Sequence, residues 1–287
     1  MDEKAPSNPL FDPDVSLIRA WSKALEKTMP YPAPYVAAFG RENKQLRYIA
    51  ARHGGGITSP TLQTVKQAFD DFKPQVVILE GMPNEGVVSP AWYLEHTRKQ
   101  AAGDFRQGGE GAYATVLAGE RGIAFISAEP TEKQLLAGVL QQGFTREDML
   151  GWYAGLMVHQ NDRQGTLIAP EKIEKALNSY KRELGIEDVR FGMSELGAWY
   201  EQRMGRKFSL ESLLADDMSP SGKAGANFLQ KVMRATDNLR EPSIVQNVAE
   251  QLEKYDRVLV VFGSSHLAKQ EQVYAKMLGK PQYMKPF

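Results

Sequence analysis

The chain has 287 residues, which is enough to bury a full core in one domain, or in one domain with an insertion. Its 35 basic and 35 acidic residues cancel, which excludes a protein-wide basic field for nucleic acid or an anionic membrane. It contains no cysteine, which excludes thiol nucleophiles, disulfides and cysteine-bound metals.

The chain begins with a segment that does not resemble a folded core. Residues 1–40 are predicted to form an N-terminal arm, because they are rich in proline and carry one helical pattern, over Pro13–Lys27. The first buried strand is predicted over Leu46–Arg52, a short apolar run followed by His53 and then by three glycines. Ser59 and Pro60 then give a helix cap with proline at the first helical position.

Two more short apolar runs alternate with helical patterns. They predict strands over Gln75–Leu79 and Ile123–Ala128, with helices over Pro90–Gln100 and Glu110–Arg121 between them. Strands that alternate with helices are typical of a parallel sheet in an α/β protein.

From Thr131 to about Arg240 the sequence carries no strand pattern. It predicts helices over Thr131–Leu140, Thr145–His159, Pro170–Leu184, Met193–Met204, Ser209–Ala215 and Ala224–Thr236. We therefore expect a helical insertion over residues 131–240, packed beside the sheet rim or over it as a cap.

The α/β pattern resumes after the insertion. A helix over Pro242–Lys254, a strand over Arg257–Gly263 and a helix over Leu267–Leu278 close the fold. The predicted core comprises residues 41–130 and 241–287, with a mainly parallel central sheet flanked by helices.

Each of the four predicted strands leads to a histidine or a glutamate. These residues are His53, Glu80, Glu129 and His266. Ligands of open α/β sheets bind outside the carboxyl ends of the strands, so we expect the four side chains to meet at one rim. Imidazole is the commonest metal ligand and the natural general base near neutral pH.

Simpler roles are open for the same residues. Each histidine could cap a helix, and each glutamate could pair with an arginine such as Arg52, Arg121 or Arg240. Glu129, followed by Pro130 and Thr131, could cap the next helix. Glu110 could add a third carboxylate or only supply a favourable charge at a helix N-terminus.

The remaining histidines lie on predicted helices. His96 and His159 are expected to be exposed or satisfied by neighbours rather than to act as ligands.

The strand-end motifs resemble those of the TraB/TIKI superfamily, which includes the TraB and GumN-like proteins and TIKI metalloproteases and is related to ChaN-like haem-binding lipoproteins and erythromycin esterases. They read Ala50-Ala51-Arg52-His53, Val76-Val77-Ile78-Leu79-Glu80-Gly81 and Gly263-Ser264-Ser265-His266, with Arg240-Glu241 heading a helix. Ala50 stands where the family motif has glycine. The resemblance covers about residues 44–130 and 235–280.

The leading hypothesis is a hydrolase that activates water at the rim, and the resemblance to TIKI-like proteins implies peptide-bond cleavage. In the leading form a divalent Mn, Co, Zn or Fe ion is held by His53, His266 and one or both of Glu80 and Glu129. Arg240 or Arg52 would stabilise developing negative charge. Close behind is a metal-free esterase with histidine as general base. A different class of function is a non-catalytic protein that binds haem, metal or a small ligand in the same pocket.

The expected partners are a peptide or a small-molecule substrate, without nucleic acid. No run approaches the roughly 18 apolar residues that a membrane span needs. The first residues lack the features of a signal peptide. The absence of cysteine slightly favours a soluble, exported bacterial protein over a cytosolic one. The oligomeric state is left open.

Overall fold

The computed structural model describes residues 11–83, 88–101, 103–106, 108–162, 168–212 and 227–286. It confirms an α/β fold built on a mostly parallel sheet of six strands. The strands are β1 (Tyr35–Arg41), β2 (Lys44–Ala51), β3 (Val76–Leu79), β4 (Ala124–Ser127), β5 (Arg257–Gly263) and β6 (Gln282–Met284). Their order across the sheet is β4-β3-β5-β2-β1-β6.

The four strands predicted from the sequence are the four that run parallel, and they are neighbours in the sheet. Ala51 at the end of β2 pairs with Gly263 at the end of β5. Leu79 at the end of β3 pairs with Val261 of β5 and with Ser127 of β4. The carboxyl ends of these strands therefore lie at one rim of the sheet.

Two strands were not predicted. β1, whose residues fall largely within the predicted arm, runs antiparallel to β2, and the short β6 runs antiparallel to β1. The helix predicted over Pro13–Lys27 is also wrong. Asp14 and Ser22 each accept a main-chain N–H in a separate turn, so a 3₁₀ turn (Val15–Leu17) and a short helix, α1 (Lys23–Glu26), form instead.

Helices cover both faces of the sheet. One face packs against α2 (Pro60–Gln67), α3 (Pro90–Ala101) and α4 (Gly109–Glu120). The other packs against the carboxyl-terminal part of α9 (Phe228–Lys254) and against α10 (Ser264–Leu278). Alternate strand residues point to opposite faces, so Val77 and Ile78 of β3 belong to different cores.

The chain divides into two compact units at Glu129–Pro130 and at Arg240–Glu241. The sheet belongs to the first unit, and residues 130–240 form the second. The described part of the second unit is helical. Its helices are α5 (Glu132–Gln141), α6 (Arg146–Asp162), α7 (Pro170–Leu184), α8 (Met193–Met204) and the first part of α9. They surround their own hydrophobic core.

Helix predictions around α9 and before it differ from the structure in extent. The helices predicted over Ala224–Thr236 and Pro242–Lys254 are one helix, α9, with Pro242 inside it. Of the helix predicted over Ser209–Ala215, the residues up to Ser212 form a turn, and the rest lie outside the described residues. Among the helices that the structure describes, we find none with both the length and the apolar character to cross a bilayer.

Candidate active site

Three of the predicted residues meet at the rim, with Glu80 in the middle. His266 Nε2 lies 3.3 Å from Glu80 Oε1, and His53 Nε2 lies 3.7 Å from Glu80 Oε2. Glu80 directly follows β3, which is flanked by β5 in the sheet, and β5 is in turn flanked by β2. These three neighbouring strands bring Glu80, His266 and His53 to the same part of the rim, where the carboxylate of Glu80 lies within 4 Å of both imidazoles.

His53 is the accessible imidazole. It follows β2 by two residues, and 52% of its side chain is exposed. Its Nδ1 atom lies 2.5 Å from Oε1 of Glu110, a buried carboxylate in the first turn of α4. This hydrogen bond raises the pKa of His53 above its ordinary value of 6.5, against the opposing effect of burial, and the charge of Glu80 adds to the rise.

Glycines bring α4 close to the rim. Gly108 and Gly109 have φ values of 84° and 53°, in the left-handed region that glycine adopts without strain. A Cβ at Gly111 would lie only 3.4 Å from the main-chain oxygen of Glu80. This close approach lets Glu110 reach His53 from the face of the sheet opposite to α10.

His266 is the buried imidazole. It lies in the first turn of α10, which begins at Ser264 rather than at the predicted Leu267, and only 5% of its side chain is exposed. Its Nδ1 atom lies 2.9 Å from Oε1 of Glu241, and the ammonium of Lys269 contacts the same oxygen.

The buried carboxylate controls the charge of His266. Burial alone would lower the pKa of His266, but the negative charges of Glu241 and Glu80 outweigh it and raise the pKa to about 9. Burial likewise opposes the charge of Glu241, yet His266 and Lys269 hold the pKa of that carboxyl at about 2. Both groups are therefore charged at neutral pH.

The main chain of Gly263 contacts Glu80 directly. Its N–H donates to Glu80 Oε2 at 2.6 Å. A Cβ at this position would lie 2.6 Å from His53 Nε2 and 3.4 Å from Glu80 Oε2. The backbone of β5 can contact Glu80 beside His53 because residue 263 has no side chain.

Glu129 contacts the main chain beside Glu80, and Arg240 belongs to the second unit. Glu129 Oε2 accepts the N–H of Gly81, next to Glu80, at 2.8 Å. Glu129 does not cap the following helix, because Thr131 and Gln134 form the capping box of α5. Arg240 ends the second unit, where its charge acts on Tyr153. The catalytic roles predicted for Glu129 and Arg240 stay predictions.

The two remaining histidines lie on helices, as predicted. His96 stacks on Trp92 in α3, with ring centroids 4.7 Å apart. His159 lies in α6 of the second unit.

The sequence analysis did not assign Glu241 or Lys269 to the site, and it left the role of Glu110 open. Glu241 carried one usable signal. It lies at the start of the apolar face of Ile244, Val245 and Val248, where an acidic residue needs a partner when it is buried. Lys269, three residues after His266, lies on the same side of α10 as the histidine.

The donor types at the rim are those of a divalent-metal site. Two imidazole Nε2 atoms face one carboxylate, and both Nδ1 atoms contact further carboxylates, as is typical of metal-bound histidine. Across the described ranges, however, no group of three or more His, Asp or Glu side chains is arranged to hold a metal ion. The chemistry of the donors fits a metal, and their present spacing does not.

Comparison of the chain with protein-family models, with curated proteins and with solved structures finds no match.

Proposed function

We propose that the protein is a hydrolase in which His53 activates water beside Glu80. The observation that supports it is the pairing of imidazoles and carboxylates at the rim. His53 and His266 both direct Nε2 toward Glu80, and each has a buried carboxylate at Nδ1. An imidazole that is oriented by a carboxylate at Nδ1 and directs Nε2 toward the rim has the arrangement of a general base.

His53 is the group that would meet the water. Glu110 accepts the Nδ1 proton, which leaves Nε2 of neutral His53 as the basic atom facing Glu80. The distance of 3.7 Å between Nε2 and Glu80 Oε2 is too long for a direct hydrogen bond and suits a water that contacts both atoms. As His53 takes the proton from this water, the new positive charge lies between Glu110 and Glu80.

A metal-dependent form of the same hydrolase is the second candidate, because two imidazoles flank one carboxylate. His53, His266 and Glu80 would hold the ion, and Glu129 stays a candidate fourth ligand. A bound divalent cation would lower the pKa of water and polarise a carbonyl. In this form Glu110 and Glu241 would orient the two imidazole rings.

The substrates that fit this proposal contain a carbonyl that water can attack, in a peptide bond or in an ester. Purified protein would be assayed against panels of both, with chelator and with added Zn²⁺, Mn²⁺, Co²⁺ or Fe²⁺. Activity that survives the chelator supports the metal-free form, and activity that requires an ion supports the metal form. No hydrolysis, together with a Soret band on adding haem, would instead support a non-catalytic binding protein.

The matched variants are His53→Gln and His96→Gln. Glutamine at 53 can still donate a hydrogen bond to Glu110, so the fold should be kept while the base is lost. We expect His53→Gln to lower the turnover by at least 100-fold, within the usual range for a general base, and His96→Gln to leave it unchanged. Equal activity in both variants would contradict the proposal.

We also propose that the protein is exported, because a chain without cysteine suits an oxidising compartment. Fractionation of cells that express the natural gene would test this, with an antibody against the protein as the readout.

A further inference from the structure

A buried polar network lies behind His266, on the side away from Glu80. Gln270, one turn after His266 in α10, is fully buried. Its Nε2 atom donates to Glu241 Oε2 at 2.5 Å. Its Oε1 atom accepts from Tyr274 at 2.8 Å and from Tyr48 at 3.3 Å.

The two tyrosines fix the direction of the Gln270 amide. Burial raises the pKa of both phenols well above 10, so each keeps its O–H proton at any ordinary pH. A flipped amide would turn its oxygen toward the carboxylate of Glu241, and the two acceptors would repel each other. With the oxygen held by two O–H donors, the NH₂ group must face Glu241.

Glu241 has a hydrogen bond at one oxygen and ion-pair contacts at the other. Oε2 is held by Gln270, and Oε1 is contacted by Lys269 and by Nδ1 of His266. The hydrogen bond from Gln270 fixes this carboxylate, and its ion pair with His266, at 2.9 Å from Nδ1, in turn holds the imidazole ring. The opposite ring atom, Nε2, then points at Glu80.

We infer that Gln270 is a positioning residue, which sets the ring of His266 through Glu241 and so holds Glu80 in place opposite His53. Its effect on catalysis rests on the proposed hydrolase function, whereas its effect on the ring of His266 does not. The physical reason is that buried polar groups keep a unique geometry only when every member is satisfied. Loss of the amide leaves Glu241 Oε2 unpaired and free to rotate.

The test uses the variants Gln270→Met and Tyr274→Phe, with Tyr35→Phe as the matched control. Tyr35 is a buried tyrosine of the same core whose hydroxyl makes no hydrogen bond in the structure, so the loss of its O–H should change nothing. The first readout is the slowly exchanging imidazole N–H resonance of His266 in ¹H–¹⁵N spectra, assigned by its absence in His266→Gln. The second is kcat and KM with any substrate that the panels identify.

We expect Gln270→Met to shift or broaden the His266 resonance and to lower kcat by roughly 10- to 100-fold with KM unchanged, as loss of an outer partner of a functional histidine typically does. Tyr274→Phe should change both in the same direction but less, because Tyr48 still holds the amide. Tyr35→Phe should match the wild type in both.

An unchanged His266 resonance in Gln270→Met would overturn the inference, whether or not the protein hydrolyses anything. If Gln270→Met does not fold, Tyr274→Phe decides by the same resonance. A wild type without hydrolytic activity, in which the resonance still responds to Gln270→Met, would refute the proposed function and keep the positioning role. A fall in kcat that Tyr35→Phe reproduces would show a general loss of packing and would also overturn it.

Discussion

Replacing Gly263 by alanine tests the geometry of the rim with a single methyl group. The backbone at Gly263 has φ of −55°, which alanine adopts freely, so the change introduces no backbone strain. The new Cβ would lie 2.6 Å from His53 Nε2, about 0.8 Å short of ordinary contact, which begins at 3.4 Å. His53 must therefore move by nearly 1 Å.

The displacement should affect catalysis far more than folding. Half of the His53 side chain is exposed and can swing outward, so the free energy of unfolding should fall by about 1 kcal/mol, the lower end for an overpacked site. A misplacement of about 1 Å lowers the rate on the order of 100-fold. We therefore expect kcat/KM to fall about 100-fold in Gly263→Ala.

The control is Gly40→Ala, because Gly40 also lies in a strand of this sheet and its Cβ would come no closer than 3.6 Å to any atom. Urea unfolding and kcat/KM would be measured for both variants. Activity of Gly263→Ala within about twofold of the wild type would refute the reasoning. The reasoning would also be refuted if the loss of activity were fully explained by the fraction of unfolded protein.

The other predictions concern charge and packing. Glu110→Gln should lower the pKa of His53 toward 6.5, because the hydrogen bond that raises it is weakened. The rise of kcat/KM with pH should then occur at lower pH, and the maximum of kcat/KM should fall roughly tenfold. If the rise stays at the same pH, His53 is not the base. Because His266 has its pKa raised to about 9 by folding, its contribution of about 3 kcal/mol should be complete below pH 6.5 and lost as pH rises through 9. Urea unfolding from pH 6 to 10 in chelator would show this fall, and a flat profile would argue against it. In the second unit, a Cβ at Gly151 would lie 2.3 Å from the buried ring of Trp199, so Gly151→Ala should cost about 3 kcal/mol in urea unfolding; a loss under 0.5 kcal/mol would show that the ring can shift.

The centre of the parallel sheet was predictable because two of its strands, β3 and β5, are buried on both faces. Val76–Leu79 is buried at every position, and Arg257–Gly263 at every position but the first. Such strands form unbroken apolar runs in the sequence. Since parallel strands end at a common rim, the approach of His53, Glu80 and His266 followed from their places after the runs.

The antiparallel strands were not predictable by the same rule. β1 follows a proline-rich segment and was therefore read as part of an arm. It turns back into β2 through Glu42 and Asn43, and Glu42 is in the left-handed region at φ of 56°. Glutamate rarely adopts this conformation, so its presence in the sequence did not indicate a turn. β6 has only three residues, too few for an alternating pattern.

The carboxylate partners of the histidines could not be predicted because they come from helices. Glu110 reaches the rim from α4 on one face, and Glu241 reaches it from α9 on the other. A helical pattern fixes which side chains face the sheet, but not how far the helix extends along it. A shift of the helix by one turn moves its side chains by about 5.4 Å along the axis, which is enough to separate a carboxylate from the histidine that it contacts.

The two histidine–carboxylate pairs have the same chemistry in different surroundings, and this difference explains how one site could both hold and move a proton. The pair of His266 and Glu241 is shielded from water, with at most 5% of either side chain exposed. Both of its groups are charged at neutral pH, and the imidazolium of His266 lies 3.3 Å from Glu80. The pair of His53 and Glu110 has one accessible imidazole, which can exchange a proton with water. Glu80 lies 3.3 Å from the buried imidazole and 3.7 Å from the exposed one, so in the proposed hydrolase the buried pair would hold Glu80 in position while the exposed pair would act on water.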